Sequence, residues 1–266
     1  MKHSVRVCER GLALAGIIII GLVAAAPTAA AQNPSGNEAA SATYLGPCDN
    51  WATAPSSAAC PQGLGYLDAL RATEGVVPMT LPTNFGSLSA SEQLFVFANL
   101  ERVDRGMAPL EGISSNLDSY AQVGAQHETD PHLPPGLGGG GNWAGLGGGI
   151  NLFEADTLWM YEDGPGGANA ACTSADAAGC WGHRDNILGN YSAPALMGGG
   201  AATVSGVGSI AELFASGDSN DAPYFTWSDV TPNLPVGAWP PSFSDSVPSA
   251  GSRAPIPSSF GRQERR

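Results

Sequence analysis

The segment from Cys172 to Leu188, CTSADAAGCWGHRDNIL, contains the residues whose types and spacing best suit chemistry. Two cysteines bracket a short polar loop, and His183 follows the second cysteine within three residues. A histidine fixed beside a disulfide keeps a constant position, and its imidazole can bind a metal ion or transfer a proton near neutral pH. The alternative is a histidine that only hydrogen-bonds backbone carbonyls at a helix start. The residues alone leave both interpretations open.

The N-terminal residues have the order of a secretory signal. Three basic residues precede an apolar run over residues 11–26, and the small residues at 29–31 suit cleavage before Gln32. An uncleaved anchor is the alternative, but the run is shorter than the ~20 residues that a bilayer span needs. We therefore expect a signal peptide over residues 1–31 and a secreted, extracellular protein without a transmembrane segment.

The charge balance is strongly acidic. The full chain has a formal charge of −13, and removal of residues 1–31 leaves 8 arginines against 23 acidic residues, with no lysine. Binding to nucleic acid or to an anionic lipid surface requires basic side chains. The composition therefore predicts no nucleic-acid partner and no electrostatic attachment to membranes.

Cysteine usage agrees with export. Four cysteines follow residue 31, namely Cys48, Cys60, Cys172 and Cys180. An even number in an exported chain indicates disulfides, and three pairings are possible. Short loops favour the pairs 48–60 and 172–180. A zinc site is the alternative, but neither pair has the tight C-x₂-C spacing typical of such sites.

Composition divides the chain after the predicted signal peptide into three parts. Residues 32–43 are rich in Ala, Ser and Asn and are predicted to be a linker. Residues 44–236 are predicted to form one domain, because about 190 residues can bury an adequate core. The Pro- and Ser-rich residues 237–266 are predicted to be a disordered tail.

Periodicity within the domain predicts helices first and strands last. A helix should follow Ser89, whose capping box with Glu92 marks its start, and should end before Gly106. Further helices are expected over residues 116–127 and 153–162, the latter capped by Asn151, and short strands over 201–208, 209–214 and 224–227. Without strict alternation, this order indicates the α+β class.

None of three familiar motifs supports a catalytic or cofactor-binding site in this sequence. Glycines 136, 138 and 141 match G-x-G-x-x-G, but no predicted strand precedes them, so residues 136–149 are predicted to be a loop. His127, Glu128 and His132 give H-E-x-x-x-H, one residue too long for a zincin. The sequence has no G-x-S-x-G elbow and no unpaired thiol after residue 31. Serine is plentiful, so a catalytic Ser–His pair remains an alternative. No motif singles out one serine for that role.

Several motifs, taken in order, resemble the CAP/SCP superfamily of secreted cysteine-rich proteins. They are Asn99–Gly106 with its following Pro-Leu, Leu117–Ala125, the Trp-x-x-Glu run Trp159–Glu162, and the signature run Gly182–Ile187. They cover about residues 85–215, and residues 44–84 have no counterpart and are interpreted as an N-terminal extension. The resemblance implies a three-layer α-β-α sandwich with a short antiparallel sheet, in a secreted bacterial member.

The resemblance also implies a central cavity with two histidines and two acidic residues. His183 matches the histidine of the signature run, and Glu162 matches the acid of the Trp-x-x-Glu helix. His132, in Asp-Pro-His, fits the second histidine better than His127 does. A histidine at position 127 is explained by the helix dipole, which favours a cation at a helix C-terminus.

The fourth member of that cavity is missing from the pattern. Gly141 stands where the resemblance predicts a glutamate. Glu154 and Asp163 are the residues that could replace this carboxylate in space.

The leading hypothesis is an extracellular binding module for a small or lipid-like ligand or for a partner protein. Zinc or another divalent cation is expected on His132 and His183, with the carboxylate of Glu162 beside them. The first alternative is a metal-assisted extracellular hydrolase with Glu162 as base. The second is a structural or adhesion domain with a vestigial cavity. An enzyme is the less favoured interpretation, because one carboxylate of the pair is lost.

Overall fold

The structure is a computed structural model that describes residues 33–34, 36–37, 59–147, 149–217 and 221–236. The predicted signal peptide, the tail 237–266 and Cys48 lie outside the described residues. Within them the helices are α1 Ala59–Thr73, α2 Ala90–Val103, α3 Ser115–His127, α4 Leu152–Tyr161, α5 Gly182–Ile187 and α6 Trp227–Val230. The strands are β1 Gly112–Ile113, β2 Gly139–Leu146, β3 Ala195–Val204, β4 Val207–Ser216 and β5 Phe225–Thr226. This mixture confirms the α+β class.

The five strands form one sheet in the order β2-β4-β3-β1-β5. β3 and β4 are an antiparallel hairpin, and β2 runs antiparallel to β4 from the pair Gly139–Ala215 onward. The hairpin turn is Ser205-Gly206, and both residues have positive φ, 51° and 86°. Such a turn matches the right-handed twist of the paired strands. β1 alone runs parallel to β3.

Helices cover both faces of this sheet, so the domain has three layers. Side chains that alternate along a strand point to opposite faces. Leu196 and Leu213 pack with Leu117 of α3, whereas Met197 and Phe214 belong to the larger core. That larger core is built with α1, α2 and α4. Because β3 and β4 are largely buried on both faces, their residues are apolar or small, with the exception of Glu212 in β4.

The helix starts agree with the sequence prediction. Ser89 accepts a hydrogen bond from the Glu92 N–H, and the Glu92 carboxylate accepts from the Ser89 N–H, which is the predicted capping box. Asn151 accepts from the Glu154 N–H at 3.1 Å and caps α4. α3 and α4 each begin one residue earlier than predicted.

Two strand predictions are wrong. Residues 201–208 were expected to be one strand, but they span the end of β3, the hairpin turn and the start of β4. The glycine-rich segment was expected to be a loop, yet residues 139–146 form the edge strand β2. β-propensity cannot predict a strand of this composition. Packing selects it, because a Cβ on Gly140 would lie 2.0 Å from the Asn186 Oδ1 atom.

A buried ion cluster joins α1 to α2. Arg71 of α1 is fully buried and pairs with Glu101 at 2.7 Å and also with Asp104. Burial opposes ionisation of Glu101, but Arg105 and Arg71 outweigh it and hold the pKa of this carboxyl below its usual value. Removing one partner would leave an uncompensated buried charge, which typically costs ~3–5 kcal/mol. The N-terminal extension thus contributes to the core.

The described surface carries no arginine side chain in solvent. Arg71, Arg102 and Arg184 are at most 3% exposed, and the side chain of Arg105 is 6% exposed. Among the described residues, no helix combines the length and apolar character that a membrane crossing requires.

Candidate functional site

Asp163 follows α4 and connects it to the start of α5. Its buried Oδ2 atom accepts hydrogen bonds from the backbone N–H of His183 at 2.8 Å and of Arg184 at 3.3 Å. The first N–H groups of a helix have no partner within the helix. Trp181 precedes α5 with a left-handed φ of 62° and offers no side-chain cap. Asp163 therefore supplies the acceptor that α5 lacks.

The other oxygen of Asp163 holds the His183 ring. His183 Nδ1 lies 2.6 Å from Asp163 Oδ1, and Nε2 lies 3.4 Å from Oδ1 of Asp130. Burial of the ring opposes its charge, but hydrogen bonds with Asp130 and Asp163 and their negative charges outweigh it. Together they raise the pKa of His183 to about 9. His183 is therefore an imidazolium at neutral pH, with both N–H groups directed at carboxylates.

The disulfide loop is attached to the same carboxylate. Asn169 Nδ2 donates to Asp163 Oδ1 at 2.6 Å and to the Gly179 carbonyl at 2.8 Å. Cys172 and Cys180 form the predicted disulfide, and the Cys172 N–H donates to the Asn169 carbonyl. The predicted 48–60 pair includes Cys48, which lies outside the described residues. The disulfide thus stabilises the loop that positions Asp163.

A buried polar chain lies behind His183. Asn142 Nδ2 donates to the His183 carbonyl at 3.0 Å and to Glu212 Oε1 at 2.8 Å, and its Oδ1 accepts from Asn186. Burial raises the pKa of Glu212 to about 8, although the Asn142 hydrogen bond and the His183 charge lower it. Asn142 and Asn186 therefore fix α5 against β2, and the neutral Glu212 anchors Asn142.

A cleft of about 180 Å³ opens beside His183. Its lining is apolar apart from three polar side chains, and comprises Trp143, Ala144, Gly145, Leu158, Trp159, Asp163, Ala168, Asn169 and His183. Both indole N–H groups are satisfied within the protein, by Ser209 Oγ at 2.8 Å and by the Trp143 carbonyl at 3.2 Å. The ring atoms therefore give the cleft an apolar wall, and His183 gives it a hydrogen-bond donor.

Asn33 and Asn37 of the predicted linker contact this region. Asn37 accepts from the Gly164 N–H at 2.8 Å and donates to the Pro165 carbonyl at 2.8 Å. Asn33 donates to Asp185 of α5 at 3.0 Å. The segment therefore packs on the side of the Asp163 loop.

Glu162 is 2% exposed, at the C-terminal end of α4. Its Oε1 atom is buried without a hydrogen-bond partner among the described residues. Burial, and next the charge of Glu154, raise the pKa of Glu162 above its usual value. No described hydrogen bond or ion pair joins Glu162 to His183. The adjacent Asp163, one of the two replacements considered from the sequence, makes that contact instead.

His132 is exposed, and none of the described hydrogen bonds or ion pairs includes it. No described hydrogen bond or ion pair joins His132 to Glu162 or to His183, and Asp130 is the residue that reaches His183 Nε2. A shared site of His132, Glu162 and His183 stays a prediction. His127 is likewise exposed, at the end of α3.

The divalent cation expected on His132 and His183 stays a prediction. The Asp163 carboxylate on His183 Nδ1 is an arrangement that also supports metal-bound imidazoles, but Nε2 is directed at Asp130. Within the described part of the chain, no group of three or more His, Cys, Asp or Glu side chains has an arrangement able to hold a metal.

Packing explains why position 141 carries glycine rather than the glutamate that the resemblance predicts. Gly141 pairs with Leu213 in the sheet, and a Cβ at Gly141 would lie 2.7 Å from the Pro131 carbonyl oxygen and 2.8 Å from its ring. Real Cβ atoms do not approach other atoms so closely, so the site has no room for a side chain. The acidic partner of the histidine comes from Asp163 rather than from β2.

Comparisons with known proteins show little. No protein-family model and no curated protein match the chain. Among solved structures, venom allergen-like protein 4 of Schistosoma mansoni is similar, with 19% identity and a TM-score of 0.33, over 52% of this chain and 96% of that one. A similarity this remote supports no inference about family or activity. The resemblance to the CAP/SCP superfamily therefore continues to depend on the sequence motifs.

Proposed function

We propose that the chain is a secreted CAP/SCP-like domain that binds a small, uncharged and partly apolar ligand in the cleft beside His183. The observation that carries this proposal is the pairing of two Trp rings with one N–H donor in the same cleft. Ligand sites are typically apolar pockets with a few polar groups that fix orientation. The cleft of about 180 Å³ has room for several water molecules. A ring or short chain of that size would fit.

The charges around His183 favour a neutral ligand. One imidazolium lies between two carboxylates, Asp163 and Asp130, so the group has a net charge of −1. An anionic ligand would be repelled. The Asp130 contact is long, 3.4 Å, and its side chain is 58% exposed, so a carbonyl or hydroxyl oxygen can replace it at low cost. The ligand is expected to accept one hydrogen bond from His183 Nε2.

Binding is favoured over hydrolysis by the charge state of His183. A protonated histidine cannot remove a proton from water or from a serine, and general-base catalysis requires a pKa near the working pH. No serine, threonine or cysteine lines the cleft in the described part of the chain.

Titration with benzamide, benzoate and toluene tests this proposal. Tryptophan fluorescence and the indole N–H signals of Trp143 and Trp159 report binding in the cleft. Benzamide should bind most tightly, because it alone combines a ring with a neutral acceptor. Leu158→Trp should fill the cleft and abolish binding, whereas the control His127→Ala, at an exposed position, should not change it. Equal binding of benzoate and benzamide, or no response to any probe, would contradict the proposal.

A further inference from the structure

The side chain of Glu74 joins the N-terminal extension to α5. Glu74 lies in the turn that follows α1, and its side chain is 12% exposed. Its Oε1 atom pairs with Arg184 Nη2 at 2.7 Å, and its Oε2 atom accepts a hydrogen bond from Arg105 Nη2 at 2.5 Å. Arg184 belongs to α5, and Arg105 follows α2. One largely buried carboxylate therefore links the ends of α1 and α2 to α5.

The core holds the backbone of Glu74 in place. Gly75 has a left-handed φ of 73°, the conformation typical of a residue that ends a helix. The fully buried Arg71 donates from Nε to the Val77 carbonyl at 3.0 Å, across the same turn, and also pairs with Glu101. The turn cannot shift without disturbing this buried ion cluster. Glu74 is therefore a fixed point against which another element can be held.

Arg184 depends on Glu74 for the compensation of its charge. The Arg184 side chain is 1% exposed, and among the described residues its ion pair is the one with Glu74. Its Nη1 atom donates to the Met160 carbonyl at 2.6 Å, and its guanidinium lies over the rings of Tyr161 and Trp181. Its buried Nε atom has no hydrogen-bond partner in the described part of the chain. A buried cation that loses its carboxylate is strongly destabilised, so the position of Arg184 requires Glu74.

His183 precedes Arg184 in α5, so one anchor sets the orientation of both side chains. Successive residues of a helix point about 100° apart, and here Arg184 is buried in the core while His183 lines the cleft. A helix of six residues does not hold itself in place. The backbone N–H groups of His183 and Arg184 donate to Asp163 Oδ2 at 2.8 and 3.3 Å. A displacement of Arg184 would break the longer of these two bonds first.

We propose that Glu74 is a positioning residue for the cleft, because its ion pair with Arg184 holds α5 in the orientation that presents the His183 N–H to the ligand. Glu74 is not among the lining residues of the cleft, and its described ion pairs are with Arg105 and Arg184. It therefore acts on His183 through Arg184. The effect on affinity rests on the proposed function, whereas the placement of α5 is measured without a ligand.

Glu74→Gln tests this role, because it keeps the shape of the side chain and removes its charge. Native-state hydrogen exchange of the His183 and Arg184 amides should become severalfold faster relative to the amides of α3, which report global unfolding. Benzamide affinity should fall severalfold. Unchanged relative exchange at both amides would overturn the proposal. Absence of benzamide binding by the wild type would instead contradict the proposed function, and the exchange result would still decide the positioning role.

Asp104→Asn is the matched control. Asp104 pairs with Arg71 in the same ion cluster, its side chain is 5% exposed, and none of its described ion pairs reaches α5. The change in global stability is measured by urea unfolding. The exchange of the His183 and Arg184 amides relative to α3, and the affinity for benzamide, should match the wild type. Equal acceleration in both variants would show a general loosening of the ion cluster and would overturn the proposal.

A double variant tests whether Glu74 acts through Arg184. In the Arg184→Gln background, Glu74→Gln should have no further effect on the His183 amide or on benzamide affinity, because the ion pair is already broken. Additive effects would overturn the assignment to this pair. If Glu74→Gln does not fold, Glu74→Asp is measured in its place, since it keeps the charge and shortens the side chain. The same local acceleration at His183 and Arg184 is then expected, and its absence would overturn the proposal.

Discussion

Replacement of Asp163 by asparagine should lower the pKa of His183 sharply. The Asp163 carboxylate lies 2.6 Å from His183 Nδ1 and is fully buried, so its charge acts at short range in a region of low dielectric. The other carboxylate, Asp130, is farther away and 58% exposed. Asparagine has the same shape but no charge, and burial of the ring then opposes protonation with little compensation. The neutral imidazole becomes the stable form near pH 7.

The size of the effect on the free energy of unfolding follows from the pKa shift of His183. A rise of the His183 pKa from 6.5 to about 9 corresponds to about 3 kcal/mol at ~1.4 kcal/mol per unit. Because folding raises this pKa, the stabilisation is fully present below the unfolded value of about 6.5 and is lost as the pH rises through about 9. The difference in unfolding free energy between wild type and Asp163→Asn should therefore shrink by up to about 3 kcal/mol across this window. The contribution of Glu212 is common to both proteins and largely cancels.

Two measurements check this prediction. NMR titration of the imidazole carbons gives the pKa of each histidine, and the His183 signal is identified by its absence in His183→Gln. Urea unfolding at pH 6.5 and pH 9.5 gives the free-energy difference. Asp130→Asn is the matched control and should lower the pKa of His183 less than Asp163→Asn does. A His183 pKa near 6.5 in the wild type, or one that Asp163→Asn leaves unchanged, would refute the reasoning.

Three further changes have defined outcomes. Replacing Cys172 and Cys180 by serine should cost about 2.5 kcal/mol of stability, the chain-entropy value for so short a loop, and the loss is measured by urea unfolding. Gly141→Glu should destabilise the fold by about 1–3 kcal/mol through overpacking, while Gly138→Glu, where a Cβ meets nothing within 4 Å, should cost far less. Folding raises the pKa of Glu212 to about 8, so wild-type stability should fall as the pH rises from about 4.5 to 8. Glu212→Gln should flatten that fall in pH-dependent unfolding.

Local rules predicted α2, α3 and α4 because their signals lie within a few residues, whereas the helix α1, Ala59–Thr73, was not predicted. The capping box of Ser89 and Glu92, and the Asn151 cap, each depend on side chains three positions apart. The short spacing of Cys172 and Cys180 likewise predicted their pairing. In each case the deciding contact joins residues that are neighbours in the chain, so no tertiary knowledge is required.

The edge strand β2 could not be predicted, because its backbone is selected by distant residues. Glycine has low β-propensity, and residues 139–141 are all glycine. Their lack of side chains is required by Phe214, Asn186 and Pro131, which occupy the space where a Cβ would lie. A glycine run therefore signals close packing here rather than a loop.

The sequence predicted the candidate site only in part, because several of its contacts join residues that are distant in the chain. The motif identified His183, and Asp163 was one of two replacements considered for the missing acid. Asp130 and Asn169 carry no motif, since each acts through a contact set by the fold. Asn169 is nonetheless close to the disulfide loop, and a polar residue near a fixed loop is a signal that could have identified it.

The charge state of His183 favours the binding interpretation of the cleft. A histidine between one carboxylate and an open cleft position would be a base or a metal ligand. A histidine between two carboxylates is instead a fixed donor, since both nitrogens carry protons at neutral pH. Gly141 supplies no acid from β2, whereas Asp163 and Asp130 place two carboxylates at the ring. With these contacts, His183 acts as a hydrogen-bond donor rather than as a proton acceptor.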